Sequence, residues 1–278
     1  MYQTTSHRRF TTYRPMTALS VSFSSHLWDL NEENYLCAFT RLPASTFASL
    51  GRLTVHGIGS YHHLSLYMCS SEVLVNTYMP CTTTVPTVYG CEEMLYTFSA
   101  SGKGARPPED VHFGIPKLIM FQLHTMSGLS PTANSVSVSI SMLPPRGPLV
   151  RFVEIGPRRD WGGLKMSVAG KCECTRADNA TVYYVVLHAH RKTDTVCLSI
   201  PETRTLCAPR DTPFNVVVPW HVSKLRSSSS PHLVCHFPVP SRLGVRSDDE
   251  MCFAYMLVES RSWPYHCWSS STERTCRW

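Results

Sequence analysis

Long apolar runs are missing from this chain. Nothing approaches the roughly 18 consecutive apolar residues that a membrane-crossing helix needs, so no membrane partner is expected. Blocks of one charge are also missing. The formal net charge is +6, yet no more than two basic residues stand together, as at Arg8-Arg9, Arg158-Arg159 and Arg191-Lys192. Scattered cations of this kind read as a solvated surface and argue against direct nucleic-acid binding. The opening "MYQTTSHRRFTTYRPMTALSVSF" lacks a continuous apolar stretch, so a secretory signal is not expected there. It bears arginine and hydroxyl residues and no acid before Asp29, as transit peptides do, but "ALSVSF" already alternates like a strand.

Catalytic signatures are absent too. There is no G-x-S-x-G elbow, no H-E-x-x-H and no kinase signature set. "HGIGSYHH" (His56 to His63) has glycines but neither the Lys-Ser/Thr ending nor a following helix that a phosphate loop requires, so it reads as a turn. The acidic pairs Glu92-Glu93 and Glu109-Asp110 and the run Asp248-Asp249-Glu250 read as solvated loops. No cofactor and no catalytic residue is expected.

What the sequence does contain is strand texture. Valine, threonine, serine, tyrosine and phenylalanine are plentiful and Pro reaches 20, a mixture of strands and turns. In "SVSVSISML", Val136, Val138, Ile140 and Met142 face one way and Ser135, Ser137, Ser139 and Ser141 the other, the period of a half-buried strand. Apolar strand candidates recur at "LTVHGI", "HLSLYMC", "KLIMFQLHTM", "TVYYVVLHAH" and "MCFAYMLVES". Helical periodicity is weak, with "LWDLNEENYLCAF" (Leu27 to Phe39) its best place. "LPPRGPL" (Leu143 to Leu149) cannot continue a ladder and reads as a crossing between two units. The fold expected is all-β: two barrel or sandwich units at 27–143 and 149–260. A flexible basic leader (1–26) would precede them and an irregular aromatic and cysteine tail (261–278) follow.

Twelve cysteines are many. Without a visible signal they read as reduced thiols packed as small hydrophobes in segments such as "LVCHF" and "TVCLSI". The tempting metal site is "KCECTRADNATVYYVVLHAH" (Lys171 to His190), because Cys172 and Cys174 share one strand face and His188 and His190 share another. Folded as a hairpin about "RADN" (Arg176 to Asn179), Cys172 pairs near Tyr183, leaving His188 roughly 17 Å along the strand. Zinc needs its ligands about 2.0–2.3 Å from one point. Other segments offer His62 and His63, or Cys235 and His236, but neighbours on a strand point to opposite faces. No metal site is therefore expected.

Two stretches, "RLPASTFASLGRLTVHGIGSYHHLSLYMCSSEVLVNTYMP" (Arg41 to Pro80) and "NATVYYVVLHAHRKTDTVCLSIP" (Asn179 to Pro201), resemble the gammaherpesvirus dUTPase-related proteins. The resemblance lies in strand order, small-residue turns and a cysteine- and serine-rich vocabulary. It implies a dUTPase-like double β fold. The glycine-rich arm and phosphate cradle of a working dUTPase have no counterpart here. The expected function is accordingly a non-enzymatic viral accessory factor, in host cytoplasm or nucleus. It would modulate host gene expression, mRNA export or antiviral signalling through contacts with host or viral proteins. Asp249, Glu250 and Met251 are the candidate partner-binding residues, the acids imitating phosphates and the methionine filling an apolar slot. The alternatives are a nucleotide hydrolase with a divergent site and a structural virion protein.

Overall fold

The computed structural model describes residues 17–24, 26, 28, 34–58, 61–70, 78–81, 90–91, 93–99, 107–125, 131–155, 167–174, 180–189, 195–199, 205–209, 216–225, 232–236, 252–259, 267–269 and 276–277. Its elements are all strands: β1 (Thr17–Ser24), β2 (Asn34–Arg41), β3 (Thr46–His56), β4 (His63–Cys69), β5 (Tyr78–Pro80), β6 (Glu93–Ser99), β7 (Phe113–Ile115), β8 (Leu118–Thr125) and β9 (Ser135–Leu143). After the proline-rich crossing come β10 (Val150–Ile155), β11 (Ser167–Cys174), β12 (Ala180–Ala189), β13 (Thr195–Ser199), β14 (Thr205–Pro209), β15 (Val216–Leu225), β16 (His232–His236), β17 (Cys252–Glu259), β18 (Cys267–Ser269) and β19 (Cys276–Arg277). No α-helix occurs among the described residues. The all-β expectation therefore holds.

Four antiparallel sheets result. The first half forms β1-β9-β3-β7 and β5-β2-β8-β4-β6; the second forms β15-β12-β17-β10-β19 and β14-β13-β16-β11-β18. Among the described strands no ladder joins the two halves. The serine-valine strand β9 behaves as its alternation demands: Val136, Val138, Ile140 and Met142 are buried, while the serines between them are partly open. β9 is held between β1 and β3, which explains why one face of a sheet is enough for it.

β8 is different, because all eight of its residues are buried. A strand covered on both faces reads as a continuous apolar run, and "LIMFQLHT" is one. Ile119, Phe121 and Leu123 enter the main core. Leu118 and Met120 turn the other way and pack with Cys37, Phe39, Cys69 and Cys91. By the two-residue period, Gln122 and His124 lie on this second face. It carries buried polar groups between its sulfur-rich end and its histidine end: Ser65 and Thr97 hydroxyls stand 3.1 Å apart, and the Tyr67 hydroxyl donates to Gln122 Oε1 at 3.4 Å.

The halves meet through side chains and through a short backbone tie at the crossing, where the Val150 N–H donates to the His112 carbonyl at 2.9 Å. Phe152, Val186, Tyr255 and Leu257 belong to the same apolar cluster as Leu64, Tyr96 and Phe121. Tyr96 contacts Phe152 (ring centroids 5.5 Å), which stacks on Tyr255 at 4.8 Å. The Tyr184 hydroxyl donates to Asp110 Oδ1 at 2.6 Å, so that carboxylate serves as a tie to the second half instead of a solvated loop charge. At the crossing Gly147 has φ +60°, and an added Cβ would collide with the Asp110 carbonyl. Glycine is therefore required there on two counts. The Gly147 carbonyl accepts from His112 Nδ1 at 3.0 Å.

Burial holds the Tyr96 phenol well above the ordinary tyrosine range, and the nearby Tyr184 adds to the effect. Below about pH 10 both folded and unfolded chains keep this proton and its contribution is complete. As pH rises further the unfolded chain ionises first, so stability falls. Denaturant unfolding at about pH 9 and 11 should show a steeper loss in the native chain than in Tyr96→Phe. Equal slopes would remove Tyr96 from the account.

Several expectations are corrected by these elements. Residues 34–41 are a strand between β5 and β8 where a weak helix over Leu27 to Phe39 was expected, because Leu36 and Ala38 alternate into the core with Cys37 and Phe39 opposite. Part of the leader is strand β1, paired along its full length with β9. The tail contributes two short strands, β18 beside β11 and β19 beside β10. The hairpin about Arg176 to Asn179 is not made: β11 pairs with β16 and β18, and β12 with β15 and β17. Finally, six of the cysteines are not thiols. Cys37–Cys81, Cys69–Cys91 and Cys197–Cys207 are disulfides, each joining strands or strand ends already adjacent in a sheet.

Candidate metal centre

With the hairpin gone, the histidines must be placed afresh. His63 opens β4 and lies directly across the ladder from His124, near the end of β8. Directly opposed residues bring their Cβ atoms to about 5 Å, so two imidazoles here must touch. Their Nδ1 atoms are 3.4 Å apart. His62 sits one residue before the strand, where its N–H donates to the His124 carbonyl at 2.8 Å. Because His62 lies in a bend, the alternation that would separate neighbours on a strand does not govern it. Its ring lies 5.2 Å from that of His63 and 4.9 Å from that of His124. One ring nitrogen from each of the three falls within 4.8 Å of the others.

One pair of the three already has the separation of shared coordination. Imidazole nitrogens bound to one zinc at about 2.0–2.1 Å in tetrahedral geometry lie about 3.3 Å apart, with ring centroids about 5 Å apart. The His63–His124 nitrogens already stand at that distance, and the His63–His124 centroids are at 4.7 Å. The His62 nitrogen, within 4.8 Å of the other two, would have to close in by its side chain to share the ion. The His63–His124 pair can also share a proton in a hydrogen bond, which places the same two lone-pair directions toward each other.

The surroundings fix the rings. His63 and His124 are buried, and Tyr35, across the ladder from His124 on β2, stacks on it with centroids 4.0 Å apart and planes 13° off parallel. His62 is half-buried, with its Nε2 atom shielded from solvent. Tyr61 beside it is pushed up to about 12 by burial, so it stays a neutral phenol near neutral pH. An all-imidazole donor set suits borderline divalent ions such as zinc, copper and nickel, and does not suit magnesium or calcium, which take oxygen ligands.

His62 and His63 stand out in the sequence as a pair, though strand alternation spoke against them as ligands, whereas His124 does not stand out there. A single histidine in an apolar strand carries no signal by itself, and the register pairing residues 63 and 124 is a tertiary fact. His188, from the rejected Cys-His segment, is buried on β12 and lies beside this cluster. Cys172 and Cys174 lie on β11, in the other sheet of the second half, with Cys174 opposite Cys267 in the ladder. The expectation of no metal site rested on the hairpin and on strand alternation at His62, and neither premise holds. Asp249, Glu250, Met251 and His190 lie outside the described residues.

No protein-family model and no curated protein matches this chain. Among solved structures, PNGase F, a glycosylasparaginase from Flavobacterium meningosepticum, is similar to it with a TM-score of 0.41 and 8% identity, over 90% of this chain and 99% of that one. A peptide-N(4)-(N-acetyl-β-D-glucosaminyl) asparagine amidase is similar with a TM-score of 0.39 and 8% identity, over 90% and 99%. Both are amidases, and neither is a dUTPase relative. The expectation of a non-enzymatic, dUTPase-like viral accessory factor is corrected here: the solved structures found similar are of PNGase F, and neither that factor nor the expectation that the chain is no enzyme is retained. At such similarity the likeness carries no activity or substrate to this chain.

Proposed function

We propose that this chain is a disulfide-stapled β-protein whose function depends on one divalent transition-metal ion of the zinc class, held by His62, His63 and His124. The observation that carries this reading is the approach of three imidazole nitrogens within 4.8 Å, two of them on buried and directly opposed strand positions. Burial of two histidines side by side is costly unless they share a proton or a cation. Three converging on one point favour the cation.

The disulfides support maturation in an oxidising compartment, in place of the host cytoplasm or nucleus expected from the sequence. In such a compartment these six sulfurs are engaged with one another and do not compete with the histidines for a metal.

Zinc added to the metal-stripped, oxidised full chain should bind with a stoichiometry near one and raise the melting temperature, while magnesium and calcium do neither. His63→Ala and His124→Ala should each abolish tight binding in calorimetric titration. Zinc-independent melting of the native chain, or unchanged zinc binding in both variants, would overturn the reading.

A further inference from the structure

The three histidines of the candidate centre all come from the first half of the chain, but the fourth imidazole beside them does not. His188 belongs to β12, in the sheet β15-β12-β17-β10-β19 of the second half. It is 3% exposed, so it is buried against the first half's histidine face and does not reach out to solvent. Its ring centroid lies 5.4 Å from that of His63 and 5.7 Å from that of His62. Those spacings are close to the about 5 Å expected for two imidazoles on one tetrahedral ion, and His188, which stands outside the group of three whose nitrogens converge, would turn its ring inward to join them.

The neighbourhood also suits a fixed joint. His188 lies near Tyr255 (centroids 6.4 Å), whose ring stacks on Phe152 and through it reaches Tyr96 of the first half. The imidazoles thus sit beside an apolar seam that already joins the two halves. Among the described strands no ladder crosses that seam; the backbone ties between the halves are confined to the crossing, where the Val150 N–H donates to the His112 carbonyl at 2.9 Å.

We infer that His188 is the fourth ligand, and that the ion closes a four-imidazole centre which pins the second half's sheet to the first half's. This rests on the three-histidine reading and goes beyond it. A centre with four protein ligands is coordinatively closed and contributes to folding directly, whereas three ligands would leave a position for water. Metal supply would then set how tightly the two halves are joined.

The test uses cobalt(II) as a spectroscopic stand-in for zinc on the oxidised full chain, with His188→Gln and His188→Phe as variants. The second keeps a ring of similar shape without a donor, and circular dichroism checks that each is folded. In the native chain cobalt should give the intense visible bands of a tetrahedral site. Hydrogen exchange should show that zinc protects β8 and β12 together. Both variants should still take up one ion, with affinity lower by about 100-fold or more, since a lost direct ligand costs at least what a lost supporting partner does. Their cobalt bands should change, and zinc should no longer protect β12. Unaltered affinity, bands and β12 protection in the variants, with His63→Ala still abolishing binding, would overturn the four-ligand inference and leave the three-histidine site standing. Absence of binding in the native chain would remove both.

Discussion

Replacing Cys37 and Cys81 together by alanine should lower the free energy of unfolding by about 4 kcal/mol, the chain-entropy value for a closed loop of this length. The two residues are 44 apart in sequence, the longest span among the described disulfides. Cys37 is in β2 and Cys81 follows β5, so the bond staples the edge strand β5 to the sheet that carries the histidines. β5 spans only Tyr78–Pro80 and pairs over three residues, too few to hold an edge by ladder bonds alone. Alanine is the right replacement. Both sulfurs pack in an apolar cluster with Phe39, Leu118 and Met120, where serine would add buried hydroxyls and confuse the reading. Equilibrium unfolding in urea, oxidised native chain against the double variant, measures the difference. A change below about 1 kcal/mol would mean that the bond does not restrain the unfolded chain as the loop model requires.

The second large effect belongs to Phe121. It sits at the middle of β8, fully buried, with Ala38 and Leu66 as its direct partners on β2 and β4. Truncation to alanine removes most of a ring from a strand covered on both faces, and should cost about 3–5 kcal/mol. Phe121 turns into the main core whereas His124 lies on the other face, so the variant separates stability from binding. Phe121→Ala should melt earlier and yet, where still folded, bind one zinc with affinity near that of the native chain. Loss of binding in folded Phe121→Ala would show that the two faces of β8 are coupled and that the centre depends on core packing.

These two outcomes bear on the architecture independently of the centre. Disulfide loss acts through the unfolded chain, while the Phe121 truncation acts through packing in the folded one. Both converge on the sheet β5-β2-β8-β4-β6, whose histidine face is the basis of the functional proposal.

Much of the architecture was legible along the chain because a pleated strand writes its period directly into the order of residues. β9 shows this most plainly: the serine-valine alternation set which side chains are buried, and nothing distant was needed to read it. The apolar run of β8 likewise announced a strand, though that both its faces are covered came only from the structure, and the prolines of 144–148 announced a break. Partnership was not legible in the same way. "RADN" between two strand-like segments suggested a hairpin, but hairpins form only where the flanking strands have no better partners. β12 pairs with β15 and β17 instead. The thiols were misread for a related reason. Cysteines 44 and 22 residues apart become neighbours only when their strands or strand ends are laid side by side.

What the residues by themselves determined is therefore the β class, the alternation of β9, the strand character of β8 and the interruption at the crossing. All follow from side-chain period and backbone restriction, which are local. What only the tertiary structure decided is which strands lie together, which cysteines are joined, and that His62, His63 and His124 converge with His188 beside them. Convergence is a property of register between segments dozens of residues apart, and register is set by the packing of the whole sheet.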